Sequence, residues 1–286
     1  MHLSNIKIAE RIRLLSELPA RFNRMLAQAL LVVRDEHQDE ACKVACVVSS
    51  AAWQLWHSWR KAEDNRPEHE WVVFANFMKI AESENITLSE KRIGSAFAFT
   101  HDTFFIPRIM EQHVREETTP KLKAQLEKEK EEQRLQHMRG GAQNAEFLLT
   151  QLRDPDSPVD LLFKPDEISK CIKLVSQHDL WKLRNPSPPP SNDRLAIACL
   201  EADTLWPLHP LGVLADLERP NEEGETKDVA DPAVWYKQLQ ESNQTLLEFR
   251  PKWKDIPPSD FIDSESIFRT KEGHRLYTEW RQRWNL

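Results

Sequence analysis

Glycine is scarce in this chain, at 6 of 286 residues. Tight hairpin turns lean on glycine for positive φ, so an architecture of many β-hairpins is disfavoured. Cysteine is scarcer still, with Cys42, Cys46, Cys171 and Cys199 and no C-x-x-C pair. All four are expected as reduced core residues. No apolar run approaches the ~20 residues that a membrane-spanning helix needs. The opening MHLSNIKIAERIRLL scatters charge through its apolar positions, which does not match a secretory signal, and a cytoplasmic setting is expected. Positive charge is also short: 39 Lys and Arg against 46 Asp and Glu leave a net charge of −7. A broad nucleic-acid or anionic-membrane surface therefore has no electrostatic basis. No internal repeat is visible.

What is present favours helix. Ala, Leu, Glu, Lys, Gln and Arg dominate, and the apolar (40%) and charged (30%) fractions are those of a soluble globular chain. The length allows one large domain or two small ones. The chain reads as a single all-α domain, with N-terminal helices over 1–67, a core over 68–210 and a C-terminal extension over 211–286. Apolar spacing predicts helices over 5–34, 37–63 and 68–84, and a fourth from Ser89 to Pro107. The charge run over 120–136 predicts a solvated helix, and an apolar helix follows Gly140-Gly141 as far as Leu152. A loop is expected over 153–166, a helix over 167–181, and a rigid extended connector over 185–193. Ser191-Asn192-Asp193 closes that connector and can cap a helix over 194–206. Loops are expected over 207–232 and 250–264, with helices near 233–249 and 265–284. Most of the ten tryptophans are expected in the core.

The histidines and aspartates need a closer reading. His-Asp occurs twice, at 101–102 and 178–179, where composition alone predicts fewer than one. His101-Asp102 closes the apolar run IGSAFAFT, and a buried carboxylate is costly unless it is paired or bound to a metal. The helix over 167–181 has an apolar face of Ile168, Cys171, Ile172, Leu174 and Val175. At the helical angle, His178 and Asp179 straddle that face. A shared cation explains this, and so does a buried His–Asp hydrogen bond. Asp203 lies at the edge of the face formed by Leu195, Ala198, Cys199, Ala202 and Trp206, where a surface aspartate is equally compatible. His137 precedes Gly140-Gly141-Ala142. Small residues there let a neighbouring helix approach, so His137 can reach a shared ion; a plain helix-end histidine is the alternative. Imidazole and carboxylate are borderline and hard ligands for divalent metals.

The order of these segments resembles the HD-domain superfamily of metal-dependent phosphohydrolases. The matching stretches are HEWVVFA (69–75), AFAFTHD (96–102), HMRGGAQNA (137–145), ISKCIKLVSQHD (168–179) and CLEADTL (199–205). They span about 69–210, roughly half the chain. The resemblance implies an all-helical bundle whose core over 68–210 binds one or two divalent ions (Mn, Fe, Mg, Co or Ni). In simpler members the positions matching His69, His101, Asp102 and Asp203 hold one metal. In binuclear members His137 and His178 are added and the Asp102 carboxylate bridges the ions. His57 is a second candidate for the first ligand, but it lies farther from His101 than the family spacing, so His69 is preferred.

One departure is plain: a Gly-Lys motif commonly follows His-Asp in the family, and here Thr103-Phe104-Phe105 stands instead. The activity implied is hydrolysis of a small phosphate ester, a nucleotide among the candidates, by metal-activated water. Asp102 and Asp179 are the expected catalytic carboxylates. Asp179 would orient a ligand histidine or accept a proton. Arg139 is the expected phosphate contact, ahead of Lys182 and Arg184. Two other readings stand beside this one. Some proteins of the same fold hold two irons on the same six ligands and use O2 to oxidise a polyol or phosphonate. The site would otherwise serve a non-catalytic nucleotide-binding module. A homodimer is compatible with all three.

Overall fold

A computed structural model of the chain describes residues 40–59, 67–104, 119–217, 231–284 and 286. The helix expected over 5–34 lies outside these residues, as do the later part of the helix expected to reach Pro107 and the side chain of His57. The described chain is mostly helical, as its composition requires. Its helices are α1 (Glu40–Trp59), α2 (Pro67–Ser83), α3 (Leu88–Thr100), α4 (Pro120–Leu149), α5 (Pro165–Gln177), α6 (Arg194–Thr204), α7 (Pro210–Leu217), α8 (Pro232–Phe249) and α9 (Lys271–Trp284). None is long and apolar enough to cross a membrane.

α3 is the central element. Thr87 caps it, accepting from the Glu90 amide while the Glu90 carboxylate accepts from the Thr87 amide. Every residue from Ile93 to Thr100 is buried, so the second half of this helix has no solvent face. α1, α2 and α5 pack around it, α6 joins α2, and α4 lies along α5. The Phe77 ring fills the space over Gly94, where a Cβ would collide with it. Buried apolar side chains from Ala41 to Trp284 form one contiguous cluster.

Several sequence expectations need correction. The charged and apolar stretches around Gly140-Gly141 form one continuous helix, α4, whose first half is solvated and whose second half buries one face. Each mid-helix glycine costs about 1 kcal/mol of helix propensity, and packing against α5 overrides that cost. The expected loop over 153–166 contains a small antiparallel hairpin, β1 (Arg153–Asp154) and β2 (Ser157–Leu161). Its turn is closed by the Asp156 amide on Asp154 Oδ1 (2.9 Å) and clamped by Lys43 on Asp154 (3.0 Å) and Asp156 (2.9 Å). The loop expected from 207 includes α7, and Cys46 is exposed while Cys171 and Cys199 are buried.

The C-terminal helices complete the core. Trp181, Trp235, Trp253 and Trp284 are fully buried, while Trp71 and Trp206 are half-buried. Buried Glu201 on α6 accepts from the amides of Arg269 (2.5 Å) and Thr270 (3.1 Å) and from the Thr270 hydroxyl. The Thr270 hydroxyl in turn accepts from the first-turn Gly273 amide of α9 (3.0 Å), so Glu201 ties the start of α9 to α6 through Thr270.

Candidate metal centre

α3 ends at Thr100, and His101 caps it. The His101 Nδ1 lies 3.2 Å from the carbonyl of Phe97 and 3.1 Å from that of Ala98, in the last turn of the helix. A carbonyl only accepts, so Nδ1 carries the hydrogen and a neutral ring presents a bare lone pair at Nε2. The end of α5 repeats the device: His178, its cap residue, donates from Nδ1 to Val175 O at 2.7 Å. On α4, His137 donates from Nδ1 to Phe104 O. Three imidazoles therefore turn Nε2 inward, each oriented by a backbone carbonyl as metal-bound histidines usually are.

Both His-Asp pairs sit at helix ends, where the sequence placed them inside helices. Inside a helix adjacent side chains diverge by about 100°. His101 keeps helical dihedrals (φ −62°, ψ −36°), and its Nε2 still comes within 3.8 Å of Asp102 Oδ2.

The inward nitrogens meet carboxylates. Asp102 Oδ1 lies 3.0 Å from His137 Nε2 and 3.6 Å from His178 Nε2, while its Oδ2 lies 3.1 Å from His69 Nδ1 and 3.8 Å from His101 Nε2. Asp203 Oδ1 lies 3.1 Å from His69 Nε2 and 3.6 Å from His101 Nε2. Two ligand groups result, His69-His101-Asp102 and Asp102-His137-His178, with potential ligand atoms within 4.8 Å of one another in each. Asp102 belongs to both, one oxygen on each side. All six expected ligands are thus brought together, with Asp203 joined to the first group.

This arrangement calls for positive charge. A lone pair on Nε2 facing a carboxylate oxygen is repulsive unless a proton or a cation stands between them. Without metal, protons take that place. Burial pulls the His69 imidazole down, but hydrogen bonding to Asp102 and Asp203 outweighs it and lifts the group to about 10. His101 and His137 are likewise raised against burial by the same carboxylates. Burial works against ionised Asp102 and Asp203, yet the imidazoles, joined at Asp203 by Lys182, hold both well below the usual carboxylate range. His101 Nε2 and His178 Nε2 are enclosed and make no hydrogen bond among the described residues. Nitrogen and oxygen donors converging on a carboxylate-rich centre fit one or two divalent cations, and no thiolate joins them among the described residues.

The neighbouring charges differ in part from expectation. Asp179 is buried and faces Arg134 (2.7 Å) and Lys182 (2.6 Å); Lys182 also approaches Asp203 Oδ2 at 3.6 Å. Burial opposes its ionisation, but Lys182, His178 and Arg134 hold Asp179 far down the acid range. It is a poor proton acceptor and a good anchor for cations. Arg139, expected as the phosphate contact, is exposed. Two residues beyond His137, it points about 200° around the helix from the site. Arg184 is exposed too. Arg134, missed in the sequence, stands one turn before His137 on the same face; the i, i+3 spacing was its available signal.

Access is one-sided. The side chains of His101 and His178 are 0% and 2% exposed, whereas those of Asp102 and His137 are 26% and 20% exposed. The centre opens at the shared carboxylate, and the half-buried Trp206 lies beside His69 with ring centres 4.9 Å apart. The chain matches no family model, no curated protein and no solved structure.

Proposed function

We propose that the chain is a metal-dependent phosphohydrolase of the HD-domain type, acting on a small phosphate ester. The observation that carries this reading is Asp102: one carboxylate shared by two three-residue ligand groups, with two enclosed imidazole nitrogens facing carboxylates at 3.6–3.8 Å without a hydrogen bond. His69, His101, Asp102 and Asp203 would hold one divalent ion, and Asp102, His137 and His178 a second. When bound, such ions supply Lewis acidity that lowers the pKa of water and offsets charge on a phosphoryl group.

The chain's own residues do the rest. The last-turn carbonyls of α3 and α5 keep the His101 and His178 protons on Nδ1, away from the centre. Lys182, half-exposed between Asp179 and Asp203, is placed to receive an anionic substrate. It takes the role left open by the absent lysine after His101-Asp102. Asp179 positions Lys182 and Arg134 in this scheme, in place of the proton transfer assigned to it from sequence.

The test is metal content followed by turnover. The purified chain is assayed for bound metal, then for hydrolysis of p-nitrophenyl phosphate and bis-p-nitrophenyl phosphate with Mn2+, Mg2+, Co2+ and Ni2+. Metal-dependent release of nitrophenol is expected, with both metal and activity lost in Asp102→Ala while helical circular dichroism persists. An Asp102→Ala protein that keeps its metal and its activity refutes the proposal. Two bound irons with O2 consumption and no hydrolysis would replace it with the oxygenase reading.

A further inference from the structure

A second polar site lies in a cleft between α2 and α9. Residues Val72 to Lys79 and Leu276 to Arg283, each at i, i+3, i+4, i+7 spacing, face each other across it, and His209 closes one end. None of these residues belongs to the metal centre.

Three groups make the cleft unusual. His209 is buried, and its Nδ1 accepts from the Leu211 amide at 3.3 Å. In the neutral ring the hydrogen therefore sits on Nε2. That Nε2 is fully enclosed and makes no hydrogen bond among the described residues. Trp206, stacked at 6.1 Å, and Trp280, edge-on at 5.1 Å, hold the imidazole in place. Burial, then the charges of Lys79 and Arg283, push this histidine down to about 3, so at neutral pH it is a stranded N–H donor. Lys79 is half-buried and has no ion pair within 4.0 Å among the described residues, and burial lowers its pKa. Glu279, the cleft's carboxylate, is already shared by Arg275 (2.9 Å) and Arg283.

A buried donor beside cations is costly to leave unmet. Glu279 is already taken up by two arginines and His209 presents an N–H, so the cleft is not set up for a cation. A compact anion answers the unmet groups together, since its oxygens accept from the histidine and offset the lysine. We infer that this cleft binds a small oxyanion, a phosphate or carboxylate group, through Lys79, Arg283 and the Nε2–H of His209.

The experiment uses the full chain as purified, titrated calorimetrically with inorganic phosphate and separately with acetate at constant ionic strength. Thermal melts are run alongside, because a ligand of the folded state raises the midpoint. Saturable binding of at least one anion is expected, and the tighter one identifies the head group. Lys79→Met should weaken that binding roughly tenfold, the loss expected for one charge-assisted contact. Ala75→Glu, which brings a carboxylate into the cleft, should abolish it. The second variant decides the matter if the first melts early. Asp102→Ala, which removes any anion held at the metal centre, should keep a saturable anion site that Ala75→Glu abolishes, because the cleft lies elsewhere. The inference is overturned if neither anion binds, if both cleft variants bind normally, or if Asp102→Ala removes the binding.

Discussion

Replacing Gly141 with alanine asks whether α4 must rest directly on the end of α3. A Cβ at this position would stand 2.8 Å from the carbonyl oxygen of His101 and 3.2 Å from Val175 Cγ1. The first contact is backbone, in the turn that carries Asp102, so it cannot rotate aside. The helices must separate by several tenths of an ångström. Alanine regains about 1 kcal/mol of helix propensity, and overpacking a tight contact costs about 1–3 kcal/mol. The net is a destabilisation of about 0–2 kcal/mol. A glycine free of the contact would show the opposite sign, a gain of about 1 kcal/mol. The consequence for the centre is selective. α4 carries His137, whose Nε2 is 3.0 Å from Asp102 Oδ1, whereas His69, His101 and Asp203 come from α2, the end of α3 and α6. Gly141→Ala should therefore lose the second ion before the first. Urea unfolding followed by circular dichroism gives the stability, and elemental analysis gives the stoichiometry. A variant more stable than wild type that still holds two ions would refute the claim that this contact seats His137.

Two further outcomes follow from particular side chains. The His209 imidazole sits at about 3 in the fold against 6.5 when free. As pH falls below 6.5 the unfolded chain takes up a proton that the native state refuses. This contribution is complete above about pH 6.5 and is lost as pH drops toward 3, by on the order of a few kcal/mol. His209→Phe should flatten the acid side of the urea midpoint measured against pH, and an unchanged acid side would exclude the group. Lys182→Met removes the cation between Asp179 and Asp203. Because Lys182 is 27% exposed, the cost is about 1–2 kcal/mol, below that of a fully buried pair. Turnover of p-nitrophenyl phosphate should fall with it and be partly restored by Lys182→Arg; full activity in Lys182→Met would remove Lys182 from substrate contact.

The helical class was readable because it is a local property: residue propensity and the three- and four-residue apolar rhythm carry it. The Asp193 cap of α6, with its side chain accepting from the Ala196 amide at 3.1 Å, was readable for the same reason. The hairpin at 153–161 was not, because a proline- and aspartate-rich segment reads as loop until Lys43, far away in sequence, clamps its turn. The break expected at Gly140-Gly141 failed for a related reason. Intrinsic preference opposed helix there, and the ring of Phe104 and the turn at His101 occupied the space the glycines left.

The candidate ligands could be named from the chain because buried histidines and aspartates have few uses, and their order narrowed the choice. Their roles could not be assigned that way. Composition and periodicity decided that this protein is helical, where its apolar faces run, and which polar residues lie on them. Only the assembled helices decided how close Asp102 comes to each imidazole, that Arg134 stands beside Asp179, and that His209 faces a second cleft. Periodicity records the angle of a side chain about its own helix axis. It holds nothing of the distance to another helix, and Coulomb energies, hydrogen bonds and coordination all depend on that distance.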